Sequence, residues 1–94
     1  NLHNSDTEIE FDPGKAASNL RKHCVSFAHA EQALRDPGGL TIEDPDSAEE
    51  PRFVTLGADS LGRILVVAHT PRGGRVRIIS ARKASRNEAE DYHA

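Results

Sequence analysis

From Ile9 onward the apolar positions switch between a two-residue period and a three-to-four-residue period, and the switches mark the elements. Ile9-Glu10-Phe11 alternates as a short strand or a packing arm does. Asp12-Pro13 then signals a helix start, because aspartate caps free N–H groups and proline fits the first helical position. Helix formers follow from Lys15 to His23, with Ala16, Leu20 and Cys24 at i, i+4 and i+8 as a thin apolar face. Ser26 caps a second, short helix in which Phe27, Ala30 and Leu34 share one side, and Asp36-Pro37-Gly38-Gly39 ends it.

Alternation returns at Leu40 to Glu43 and again from Arg52 to Gly57. A turn at residues 58–62 leads into Ile64 to Ala68, which is apolar on both faces and is expected as the central strand. Pro71-Arg72-Gly73-Gly74 reads as a hairpin turn into a strand beginning at Arg75. Ser85-Arg86-Asn87-Glu88 fits a capping box that opens a last helix, with Ala84, Ala89 and Tyr92 available for packing. The order predicts an α+β fold for residues 9–94: two N-terminal helices packed on a roughly four-stranded antiparallel sheet, followed by a C-terminal helix. The polar residues 1–8 are expected to form a flexible tail.

Size and composition limit what such a fold can bury. A chain of 94 residues hides only about 60% of its unfolded surface. With 36% hydrophobic residues and no Trp, the core must be mostly Val, Ile, Leu and Ala, which leaves room for a partner to complete it. One cysteine cannot form an internal disulfide, and the longest apolar run, Ile64 to Ala68, is far too short for a membrane span. No secretory pattern opens the sequence, so a cytoplasmic location away from membranes is expected.

Charge changes the picture more. The net charge is −3, yet six of the 12 Lys and Arg residues lie between Arg72 and Glu88, with no acid before Glu88. Strict alternation sends Val76, Ile78 and Ser80 to one face and Arg75, Arg77, Ile79 and Ala81 to the other. Arg75 and Arg77 then stand about 7 Å apart, near the spacing of successive phosphates on an extended strand of nucleic acid. The plainer alternative is that these arginines serve solubility and cross-strand ion pairing. Arg82, Lys83 and Arg86 continue the positive charge to a helix N-terminus, which itself attracts anions. The segment Glu43 to Glu50, with five acids in eight residues, reads as a solvated loop.

These stretches together resemble the BrnT toxin family of bacterial type II toxin–antitoxin systems. The resemblance lies in FDPGKAASNLRKHCVSFAHA at residues 11–30, in the RFVTLG and GRILVVAHT strands, and above all in RVRIISARKASRNE from Arg75 to Glu88. It implies a RelE-like and ParE-like fold and a ribonuclease that stops translation. It also implies neutralisation by a BrnA-like antitoxin whose ribbon-helix-helix part binds operator DNA, in a hetero-oligomer. Two positions depart from the pattern: Cys24 stands where the family has glycine, and Phe11 where it commonly has Trp. A side chain at position 24 requires a strained backbone or a shifted register between the first two helices.

Metal-independent RNA cleavage needs a base for the 2′-hydroxyl, cations for the charge building on the phosphate, and an acid for the leaving oxygen. Arg77 and Arg82 suit the phosphate, since a guanidinium offers a planar fork, with Arg75, Lys83 and Arg86 as supporting cations. His23 is the candidate for proton transfer, with Glu88 and Tyr92 as alternatives. Against these roles, His23 could simply cap helix carbonyls and Glu88 simply complete its capping box. Lys15 and Lys22 are candidate RNA contacts, or else a solvated face or an antitoxin contact, and Cys24 reads as a small packing residue. The histidines at 3, 23, 29, 69 and 93 show no metal-ligand spacing, so no metal or cofactor is expected. Nothing in the chain reads bases, so sequence-specific DNA binding is expected only from the antitoxin. A different class of function fits the same fold: a non-catalytic toxin that occupies a protein target such as gyrase.

Overall fold

Each helix begins at the residue whose side chain can close its first turn. Asp12 Oδ2 accepts the Lys15 N–H at 2.9 Å, and Pro13 opens α1 (Pro13–His23). Ser26 Oγ accepts the His29 N–H at 3.2 Å and starts α2 (Phe27–Leu34). Ser85 and Glu88 close the reciprocal capping box of α3 (Arg86–His93). The computed structural model describes residues 7–46 and 50–94, so most of the expected tail and residues 47–49 of the acidic segment lie outside the described residues. No described helix is long and apolar enough to cross a membrane.

The strands are β1 (Ile9–Glu10), β2 (Leu40–Glu43), β3 (Phe53–Ala58), β4 (Ile64–Arg72) and β5 (Arg75–Lys83), ordered β1-β5-β4-β3-β2. β2 to β5 form the expected antiparallel meander with β4 at its centre. The sheet is nevertheless five-stranded and mixed rather than four-stranded and antiparallel, because β1 pairs parallel to β5 with Ile9 opposite Val76. The Glu8 carbonyl accepts the Val76 N–H at 2.9 Å, and the Thr7 carbonyl accepts from Arg35 Nη2 at 2.7 Å. Residues 7 and 8 are therefore fastened to the fold, not part of a free tail.

The β4–β5 hairpin turns at Gly73 and Gly74, whose φ values of 54° and 82° are the left-handed pair that a tight hairpin needs. Further along, the register slips: Ala68 faces Ser80 but His69 faces Ile78, leaving Ile79 as an extra residue. This bulge overturns strict alternation. Ala81 joins Ile78 in the core, while Ser80 borders the opposite face beside Arg82, Val66 and Ala68.

α1 and α2 cover one face of the sheet, over a core of Val25, Phe27, Ala30, Leu34, Leu65, Val67, Ile78 and Ala81. α2 lies so close to β3 that a Cβ on Gly57 would stand 2.1 Å from the Ala33 carbonyl oxygen. Gly57→Ala is expected to cost about 3 kcal/mol, the upper part of the overpacking range, because backbone rather than a movable side chain is in the way. Chemical denaturation checks it.

Of the expected apolar face of α1, only Ala16 packs against the core. Leu20 is 50% exposed and Cys24 is exposed, whereas Asn19 is 7% exposed. The reason is the short β1, which leaves the outer edge of β5 without a strand beyond Arg77. Asn19 Nδ2 donates to the carbonyls of Ala81 (2.8 Å) and Val25 (2.9 Å), and its Oδ1 accepts the Ala81 N–H at 3.1 Å. Cys24 ends the helix in the left-handed region at φ 58°, ψ 29°, which is the strain expected where a glycine is replaced.

Inside the sheet, Thr41, Thr55 and His69 form a hydrogen-bonded row, 2.8 Å between the two hydroxyls and 2.8 Å from Thr55 Oγ1 to His69 Nε2. Burial pushes the His69 pKa from 6.5 down to about 4. The folded protein then binds fewer protons than the unfolded chain between those two values, so stability is full above pH 6.5 and is lost as pH falls toward 4. The urea midpoint is expected to decline through that window. His69→Gln, which can still bond Thr55, is expected to flatten the decline.

Candidate active site

The arginines of β5 do not stand as one free stripe. Arg75 Nε lies 2.9 Å from Glu8 Oε2 and its Nη1 lies 3.6 Å from Glu10 Oε1, while Arg77 Nε donates to Glu10 Oε2 at 3.0 Å. β1 and the residue before it thus bring Glu10 and Glu8 to the basic strand. The hydrogen bond from Arg77, more than any other contact, holds the Glu10 carboxyl below its usual range. For Arg75 and Arg77 the cross-strand pairing expected as the plainer alternative is realised.

Arg82 is held differently. Its Nη1 and Nη2 donate to Glu88 Oε1 and Oε2, each at 2.8 Å, and Nη1 also reaches the Lys83 carbonyl at 3.2 Å. Glu88 Oε1 accepts the Ser85 N–H at 2.7 Å as well. These contacts, Arg82 first and the Ser85 backbone second, lower the Glu88 pKa to about 2, and Glu88 in turn raises that of Arg82. Glu88 stays ionised throughout the neutral range and is a weak proton carrier there. Tyr92 has an occupation of its own: its hydroxyl donates to Asp36, which pushes its pKa up and ties α3 to the turn after α2.

The sequence-level pairing of Arg77 with Arg82 separates in space. Five residues of strand, about 15 Å, lie between them, and each faces its own carboxylate. What the fold does assemble is a cleft of about 200 Å³ in which Lys15, Ser18, Lys22 and His23 of α1 face Ile79 and Ser80. Beside it a second cleft of about 390 Å³ carries Ser80, Arg82 and Glu88 over the apolar Val54 and Val66. Ser80 borders both, so the cations of α1 and the Arg82–Glu88 pair flank one stretch of β5. Lys83 is exposed, and Arg86 is 93% exposed with Glu90 3.8 Å away. Among the described residues no three His, Cys, Asp or Glu side chains gather as a metal site.

Two residues here escaped the sequence reading. Asn19 fixes α1 against β5, and its signal was available: it lies three residues from Ala16, on the same side of the helix. Ser80 reaches the clefts through the bulge, for which the local sequence holds no marker.

Residues 11–88 match the family described as the ribonuclease toxin BrnT of type II toxin–antitoxin systems. In three dimensions the chain is similar to the Brucella abortus ribonuclease toxin BrnT, whose crystal structure was solved at 1.1 Å. The two are 29% identical, the match covers 85% of this chain and 99% of that one, and the TM-score is 0.63. No curated protein sequence matches the chain.

Proposed function

The chain belongs to the BrnT family of ribonuclease toxins, and from that membership we propose that it cleaves RNA without a metal, along the stretch of β5 that the two clefts flank. The observation that carries this reading is the shared border at Ser80, which puts Lys15, Lys22 and His23 on one side and Arg82 on the other. Arg82 keeps a usable fork. Of its five N–H donors, Glu88 and Lys83 engage the two on Nη1 and one on Nη2, leaving Nε–H and the second Nη2–H side by side for a phosphate. In this reading Glu88 aims Arg82 rather than moving protons. His23 takes the 2′-hydroxyl proton, and Lys15 and Lys22 hold the neighbouring phosphates. Arg77, Arg75, Lys83 and Arg86 add weaker attraction along the strand, since the first two share their charge with Glu10 and Glu8.

The cellular consequence proposed is arrest of translation, relieved by a BrnA-like antitoxin that also supplies operator binding. Purified chain incubated with RNA in excess EDTA tests the central step. Cleavage is expected to persist in EDTA and to weaken steeply with added salt, as binding by charge does. No cleavage at any protein concentration, with gyrase inhibited instead, would establish the non-catalytic alternative.

A further inference from the structure

The face of the sheet opposite α1 and α2 is apolar where it meets solvent. Leu40 pairs with Leu56 and Ile42 with Val54 across β2 and β3, and Val66 of β4 extends the floor. Leu40 is 45% and Ile42 66% exposed, although both are large side chains on a strand. With Glu88 and Asp91 of α3 these residues line a cleft of about 330 Å³, which shares Ile42, Val54, Val66 and Glu88 with the neighbouring cleft that holds Arg82. A continuous apolar floor of this kind marks a surface that another molecule covers.

The rim says which kind of molecule. Among the described residues, the charged ones lining both clefts are Asp44, Glu88 and Asp91 against Arg82, so these clefts carry more acid than base, while the cleft on the α1 side of β5 is lined by Lys15 and Lys22. Three strands about 4.8 Å apart make a floor about 10 Å wide, close to the diameter of a single helix with its side chains. We infer that this face docks a basic amphipathic helix of the neutralising partner, its apolar stripe on Leu40, Ile42, Val54, Leu56 and Val66 and its Lys or Arg flanks against Asp44, Glu88 and Asp91. A helix in that position covers the free fork of Arg82 and competes for Glu88, so occupancy and RNA binding exclude each other. The inhibitory role rests on the ribonuclease reading above; the docking rests on the face itself.

The probe is a synthetic amphipathic helical peptide with Leu at i, i+3, i+4 and i+7 and Lys elsewhere, alongside a counterpart with Glu in place of Lys. Titrated into the purified full chain and followed by fluorescence anisotropy, the Lys peptide is expected to bind at least about tenfold more tightly than the Glu peptide. Ile42→Asp and Val54→Asp are each expected to weaken it at least about tenfold, with circular dichroism unchanged, whereas Leu20→Asp on α1 leaves it as it was. Equal binding of both peptides, or undiminished binding to the two groove variants, overturns the proposal. So does a concentration-dependent dimer of the chain alone that Ile42→Asp dissolves, because a second copy would then own the face. RNA cleavage is read in parallel: the Lys peptide should inhibit the parent and not Ile42→Asp, a contrast that discounts capture of RNA by the peptide. Normal cleavage with the peptide bound overturns the inhibitory role. A chain that never cleaves RNA sinks the ribonuclease reading and leaves the binding titration to decide the docking.

Discussion

Arg82→Ala is expected to lower RNA cleavage by roughly 10²–10³-fold, the loss found when one well-aimed donor to developing charge is removed. The size follows from geometry rather than from charge alone. Glu88 grips one edge of the guanidinium through two 2.8 Å bonds, and that grip orients the other edge before RNA arrives. Arg82→Lys is expected to recover only part of the loss, since an ammonium cannot hold a carboxylate and a phosphate with two parallel forks. Glu88→Gln keeps an oxygen for the Ser85 N–H but loosens the aim, so its loss should be smaller than that of Arg82→Ala. Stability should change by about 1 kcal/mol or less in Arg82→Ala, because the pair is largely at the surface. Single-turnover cleavage with a denaturation curve for each variant separates the effects. An alanine variant that cuts at the parent rate would remove Arg82 from the site, and with it the role given to Glu88.

The parts of this fold that were legible in the sequence are those decided locally. Asp12, Ser26 and Ser85 each bond a backbone N–H three residues on, so the helix starts could be read from neighbours alone. Gly73 and Gly74 marked the hairpin for the same reason. What escaped depends on partners far along the chain. Glu10 meets Arg77 across 67 residues, and Asn19 meets Ala81 across 62, so spacing could not reveal the neutralised arginines and could show only the side of α1 that Asn19 shares with Ala16, not its partner. The bulge at Ile79 is subtler still. One extra residue in β5 moved Ala81 into the core with Ile78 and turned Ser80 to the opposite face, on a strand whose composition reads as regular. The cationic stretch is continuous in the sequence. Its division into a paired end at Arg75 and Arg77 and an aimed end at Arg82 is a property of the tertiary structure.

Asn19→Ala is expected to be the most damaging single substitution for stability, by at least about 3 kcal/mol, because it strands three buried backbone groups at about 1–3 kcal/mol each. The Ala81 N–H and C=O and the Val25 C=O all take their side-chain partner from this one amide. No strand can replace it, since β1 ends at Glu10 and pairs only as far as Arg77. Against a total stability of about 5–15 kcal/mol for a domain of this kind, such a loss leaves little reserve. Asn19→Asp should fare no better: its oxygen still accepts from the Ala81 N–H, but its second oxygen turns a buried charge toward two carbonyls. The functional consequence goes beyond stability. α1 carries Lys15, Lys22 and His23, and Asn19 is the tie that sets this helix against Ser80, so cleavage should fall even at temperatures where the variant remains folded. Hydrogen exchange at the Ala81 amide gives the direct readout, with protection expected to drop toward that of a frayed edge. A loss of less than about 1 kcal/mol with Ala81 still protected would mean that water satisfies the edge of β5 and that other contacts hold α1 in place.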